Sequence, residues 1–126
     1  MNALLLVAHG SRRKQSNDEV AHLAEKLKNN CGEQYDIVKP AFLELSDVLI
    51  PEGIEQCIAE GATSITVLPY FLNSGRHVVE DIPNIINRCT ARHANINISL
   101  SPHLGASDLM VDLLISTAVN STLVSA

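Results

Sequence analysis

Three histidines and one glutamate occupy the positions in this 126-residue sequence where chemistry is most readily done. His9, His77 and His103 each follow an aliphatic run of strand type, directly or after a short loop, and Glu44 follows another. Imidazole suits iron, cobalt, nickel, copper and zinc, and one carboxylate can complete such a site while leaving coordination positions open. Histidine also accepts protons near neutral pH. A plainer alternative is that these are loop histidines holding tight turns through backbone carbonyls. The remaining two, His22 on a polar helix face and His93 in a turn, are expected to be solvated.

Around His9 the sequence narrows the options. Gly10 permits a close backbone approach or an unusual φ, and Ser11 can cap the next segment. Ser11 as a hydrolytic nucleophile is disfavoured because no G-x-S-x-G is present. A P-loop or dinucleotide fingerprint is disfavoured because the repeated glycines are missing. Arg12, Arg13 and Lys14 form either an anion-binding patch, since guanidinium pairs with carboxylates in bidentate fashion, or an ordinary solvated charge run. No H-E-x-x-H and no cysteine-rich motif fixes a metal geometry in advance.

The elements that must position these groups alternate strand and helix four times. Strands are predicted over Ala3 to Ala8, Asp36 to Leu43, Ser64 to Pro69 and Asn95 to Leu100. The first helix is predicted from about Asn17 to Asn29, with Val20, Leu23, Ala24 and Leu27 as its buried stripe. Ser16 and Glu19 make a capping-box pattern at its start, and Gly32 makes a stop. A second helix runs from Pro51 to Gly61 with Ile54, Cys57 and Ile58 inward. A loop from Tyr70 to His77 precedes a helix to about Thr90, in which Pro83 marks either the true start or a kink. The last helix begins near Ala106 with Leu109, Leu113 and Leu114 on its apolar side, and residues from about 116 onward are expected to fray.

This alternation predicts an α/β fold, a single three-layer domain over residues 1–126 with a mainly parallel four-stranded sheet of flavodoxin-like type. Right-handed crossovers then gather every strand-to-helix loop at the carboxyl edge, where open α/β sheets bind ligands. If the first three strands are neighbours, His9, Glu44 and His77 can converge.

Composition agrees. Hydrophobic residues make up 46% and aromatics only 3%, so the core must be aliphatic and base-stacking platforms are scarce. Nine Lys and Arg against fourteen Asp and Glu give a net charge of −5, which repels nucleic acid and anionic membranes. Three widely spaced cysteines predict reduced thiols, and the apolar start is too short for a signal segment, so a cytoplasmic protein is expected.

Three stretches together resemble a known family. Leu6-Val7-Ala8-His9-Gly10-Ser11-Arg12, Ala41-Phe42-Leu43-Glu44-Leu45 and Gly75-Arg76-His77-Val78-Val79-Glu80-Asp81-Ile82-Pro83 are similar, in order and each at a strand end, to the signatures of the CbiX family of sirohydrochlorin chelatases. Leu104-Gly105 is similar to that family's turn after the fourth strand. The resemblance implies a chelatase-like fold and insertion of a divalent metal, Co²⁺ or Fe²⁺ with Ni²⁺ also possible, into sirohydrochlorin, a tetrapyrrole rich in carboxylates. It implies that His9 and His77 handle the metal with Glu44 beside them as ligand or base, that no cofactor is permanently bound, and that a chain of this length works as a homodimer. Gly10, Ser11, Arg12, Arg13 and Arg76 are the residues expected to meet the tetrapyrrole, the arginines by charge and position alone. His103 departs from the family pattern and is either an outer ligand or a polar loop residue. A non-catalytic tetrapyrrole or metal carrier and a nucleotide-binding flavodoxin-like regulator are the competing readings.

Overall fold

The computed structural model describes residues 1–124. Strand β1 (Asn2–Ala8) leads to helix α1 (Lys14–Asn30), then β2 (Ile37–Phe42), α2 (Ile50–Ala59) and β3 (Ser64–Pro69). A single π-helical turn (His77–Asp81) runs into α3 (Ile82–Arg92), followed by β4 (Asn97–Leu100), a 3-10 turn (Leu104–Ala106) and α4 (Leu109–Val119). The four strands are parallel in the order β2-β1-β3-β4, so β1 is central and its two neighbours are β2 and β3. That order puts the ends of β1, β2 and β3 side by side, as convergence of His9, Glu44 and His77 requires.

Both faces of β1 are covered, which is why Ala3 to Ala8 is an unbroken buried aliphatic run rather than an alternating one. Ala3, Leu5 and Val7 point into the larger core with Ile54 and Cys57 of α2 and Ile82, Ile86 and Cys89 of α3. Leu6 and Ala8 point the other way, onto Val20 and Ala24 of α1 and Phe42. All three cysteines are free. Burial pushes the Cys57 thiol up to about 11 and raises that of Cys89 as well, so both remain protonated packing groups.

Several boundaries differ from the sequence-based expectation. Helix α1 starts at Lys14, so Ser16 lies inside the first turn, its N–H bonded to Arg13 C=O, and the Ser16–Glu19 capping box does not form. Gly32, at φ 63°, does follow the helix end as expected. The last helix begins at Leu109, the residues near Ala106 having formed a 3-10 turn, and it continues past Ser116 to Val119. None of its residues is buried, and the stripe of Leu109, Leu113 and Leu114 expected against the core is exposed. His93 is not a free surface group: its Nε2 lies 2.6 Å from Glu55 Oε1, tying the end of α3 to α2. No helix among the described residues is long and apolar enough to cross a membrane.

Candidate functional site

Pairing between β1 and β2 continues past the ends of both strands. Leu43 N–H donates to Ala8 C=O at 3.0 Å and Glu44 N–H to His9 C=O at 3.1 Å, so His9 and Glu44 are held in register by backbone. Their side chains meet, with His9 Nε2 3.1 Å from Glu44 Oε1. Gly10 makes this possible: its φ is 95°, and a Cβ there would lie 1.8 Å from Glu44 C=O oxygen. Any other residue would force the two loops apart.

A second clamp closes the same loops from outside. Asn17, in the first turns of α1, accepts from Ser11 N–H at 2.9 Å and donates through Nδ2 to Ser11 C=O at 2.9 Å and Leu45 C=O at 3.1 Å. Leu45 needs such a restraint, because its φ of 57° is costly for a side chain of that size. Sequence reasoning placed Asn17 only at a helix start; nothing in its local pattern shows that its amide reaches a loop twenty-eight residues away.

His77 arrives on a different element. It opens the π-helical turn, in which Ile82 N–H donates to His77 C=O five residues back, and Pro83 falls at the start of the adjoining α-helix. Pro83 has no N–H to give, so the widened turn places the proline where no bond is lost. This resolves the two options left by Pro83: helical structure begins before it, at His77, and changes type there. Four residues on, Asp81 Oδ2 lies 2.7 Å from His77 Nδ1. An i, i+4 His–Asp pair was readable in the sequence had the helix been started at His77.

The rings of His9 and His77 are stacked at a tilt, with centroids 4.6 Å apart and planes at 53°. His9, Glu44 and His77 therefore come together as expected, with Asp81 as an unforeseen fourth member. Leu43, Glu44, His77, Asp81, Asn84 and Arg88 line one open recess of about 290 Å³. Both imidazoles are about half exposed. Each has one nitrogen on a carboxylate, and among the described residues no three His, Cys, Asp or Glu side chains are gathered so that they could hold a metal ion together. With Asp81 accepting from Nδ1–H, neutral His77 carries its lone pair on Nε2, the tautomer in which a carboxylate-backed histidine binds metal.

The other expected residues surround this centre unevenly. Arg12 lines a polar recess of about 420 Å³ with Ser11, Lys14, Asn17 and Asp47, and forms no ion pair among the described residues. Arg13 is exposed and donates to Gln15 Oε1 at 2.7 Å, while Ser11 Oγ accepts from Arg13 N–H. Arg76, largely exposed, pairs with Glu80 at 3.4 Å. His103 sits at the start of the 3-10 turn, and its ring makes no hydrogen bond among the described residues. Arg88, on α3 beside His77, was not anticipated.

A four-stranded parallel α/β sheet bearing two carboxylate-tethered histidines at its carboxyl edge defines the structural class. The chain matches CbiX over residues 3–121 and belongs to that family. It is 34% identical over 122 residues to the sirohydrochlorin ferrochelatase of Priestia megaterium, covering 97% of this chain and 45% of that protein. It is 30% identical over 142 residues to the sirohydrochlorin cobaltochelatase of Methanocaldococcus jannaschii, covering 94% of this chain and 98% of that one. Among solved structures, the sirohydrochlorin chelatase SirB from Bacillus subtilis subspecies spizizenii in complex with cobalt superposes with a TM-score of 0.83 at 33% identity, over 94% of this chain and 50% of that chain. The chain thus spans about half the length of several curated relatives it matches, and nearly all of others.

Proposed function

We propose that this chain is a sirohydrochlorin chelatase that inserts Co²⁺ or Fe²⁺, with Ni²⁺ accommodated by the same donors, and that it acts in the cytoplasm as a homodimer. The observation that carries this reading is the tilted His9–His77 pair, each ring backed by its own carboxylate at the open edge of the sheet. A relative of about the chain's own length bears the name sirohydrochlorin cobaltochelatase, which supports activity at this length.

Insertion exchanges two pyrrole N–H protons for one divalent ion, so the site must release a metal and accept protons. His77, fixed by Asp81, presents Nε2 as a metal donor. His9 and Glu44 form the proton-accepting pair: one pyrrole proton rests on the imidazole, with the carboxylate stabilising the resulting cation, and the second passes to water in the open recess, since both histidines are about half exposed. His77, joined by His9 until that ring takes up a proton, holds an ion loosely enough for four pyrrole nitrogens to take it over, whereas a closed thiolate cage would retain it. Arg12, Arg13 and Arg76, with the backbone at Gly10 and Ser11, receive the peripheral carboxylates, and that binding energy holds the macrocycle in a shape that exposes its nitrogens.

The test is anaerobic incubation of the purified protein with sirohydrochlorin and each metal in turn, followed by absorbance. A rate above the uncatalysed control with cobalt or ferrous iron is expected, and His77→Ala should remove most of it. Tight binding of tetrapyrrole or metal with no rate enhancement would make the chain a carrier instead. Nucleotide binding with neither would make it a regulator.

A further inference from the structure

The π-helical turn and α3 present a single stripe of polar side chains to the site. His77, Asp81, Asn84 and Arg88 fall at the i, i+4, i+7 and i+11 positions of one helical face, and all four line the recess of about 290 Å³ together with Leu43 and Glu44. The upper half of the stripe is already engaged, Asp81 with His77, and Glu44 across from it with His9. The lower half is free. The ion pairs made by this stretch are Arg76 with Glu80, His77 with Asp81 and, at its far end, His93 with Glu55; among the described residues neither Asn84 nor Arg88 has a side-chain partner.

Charge balance within the fold does not account for Arg88. Glu52 and Glu55 of α2 lie close enough for the Cys89 thiol to feel them, yet Glu55 is taken by His93 and neither carboxylate pairs with Arg88. Among the described residues, Arg88 is the only Lys or Arg lining the recess, and the two carboxylates there are each turned onto a histidine. Its position suits a ligand lying over those histidines. Arg88 starts about 10 Å further along the helix axis than Asp81. Helical side chains lean back toward the amino end, so the guanidinium returns toward His77, and the Asn84 amide stands between them with two N–H donors on the same face.

We propose that Arg88, with Asn84 beside it, receives one peripheral carboxylate of the tetrapyrrole and anchors that edge of the macrocycle over His77. The inference rests on the chelatase reading above and adds a binding residue on an element that reading left without one. A guanidinium takes a carboxylate through two parallel N–H bonds, and the Asn84 amide supplies a third donor. Arg76 does not fill this role: it precedes His77 by one residue, so it lies off the stripe, and it is held by Glu80 at 3.4 Å. The ligand class follows from the donors. A macrocycle with a carboxylate arm at this edge is held, whereas one with an alkyl group there leaves Arg88 and Asn84 unpaired and binds less tightly.

Arg88→Ala, Arg88→Lys and Arg92→Ala test this; both arginines are exposed, so no change disturbs the core. Sirohydrochlorin binding without metal is read by absorbance titration, Co²⁺ binding without tetrapyrrole by calorimetry, and insertion by the anaerobic assay. Arg88→Ala should raise the dissociation constant and KM for sirohydrochlorin about tenfold, the lower end for a hydrogen-bonded charge, and leave kcat and Co²⁺ affinity close to the parent's. Arg88→Lys should recover part of the affinity, since it restores the charge without the fork. Arg92→Ala removes the same charge one turn further on, outside the recess, and should match the parent. Parent-like sirohydrochlorin affinity in Arg88→Ala would overturn the anchor and leave the chelatase reading. Equal losses in Arg88→Ala and Arg92→Ala would assign the effect to the general field of the helix and overturn it, as would a loss of Co²⁺ affinity in step with tetrapyrrole affinity, which would make Arg88 a support of His77. A parent chain that neither binds sirohydrochlorin nor inserts metal would overturn the chelatase reading and the anchor with it.

Discussion

Asn17 lies outside the reacting groups, yet its removal should be felt at them. Asn17→Ala deletes three hydrogen bonds, two to Ser11 and one to Leu45. Neutral bonds of this kind contribute about 1 kcal/mol each, so the loss is about 3 kcal/mol. Alanine is the better helix former by up to about 0.7 kcal/mol, which offsets part of it and leaves about 2 kcal/mol of destabilisation. The loss concentrates where the loop after β1 meets the loop after β2, the contact that holds His9 on Glu44. If about 1.4 kcal/mol of it reaches the positioning of that pair, metal insertion slows about tenfold. Asn17→Asp sharpens the case: it keeps an acceptor for Ser11 N–H but turns a carboxylate oxygen toward two carbonyl oxygens, so insertion should slow at least as much as with alanine. Urea denaturation reads the stability and the anaerobic absorbance assay reads the rate. Both variants matching the parent in stability and in rate would refute the clamp.

Gly10→Ala should cost about 2–4 kcal/mol by urea denaturation, because the added Cβ meets Glu44 C=O oxygen and the positive φ is strained besides; parent-like stability would show that the loops are not docked. Asp81→Asn should weaken Co²⁺ binding about 10–100-fold by calorimetry, since the amide cannot support the His77 tautomer with a charge, and unchanged affinity would remove Asp81 from the site. The Cys57 thiol is held up at about 11 against an ordinary 9.0, so the folded chain binds that proton more tightly than the unfolded one. The resulting stability is whole below pH 9.0 and is lost as pH rises toward about 11, a loss of up to about 3 kcal/mol for this buried group. Unfolding free energies of the parent and Cys57→Ala should therefore converge over that window, and parallel pH profiles would refute it.

The central strand was legible because a strand buried on both faces must be continuously apolar, and Ala3 to Ala8 is. The placement of His9 and Glu44 followed from it, since neighbouring parallel strands bring the residues just beyond their ends together by backbone register. Asn17 and Asp81 escaped for different reasons. Asn17 acts across the chain on a backbone carbonyl, which has no sequence signature, whereas Asp81 depends on the point at which one helix begins, and Pro83 obscured that point. The Ser16–Glu19 pattern misled because a capping box describes a helix start in isolation, while here the anchored loop around Ser11 brought the helix start forward to Lys14.

Helix α4 marks a limit of another kind. The sequence put Leu109, Leu113 and Leu114 on its apolar side, and all three are more than half exposed, because periodicity records that a face is apolar and carries nothing about what covers it.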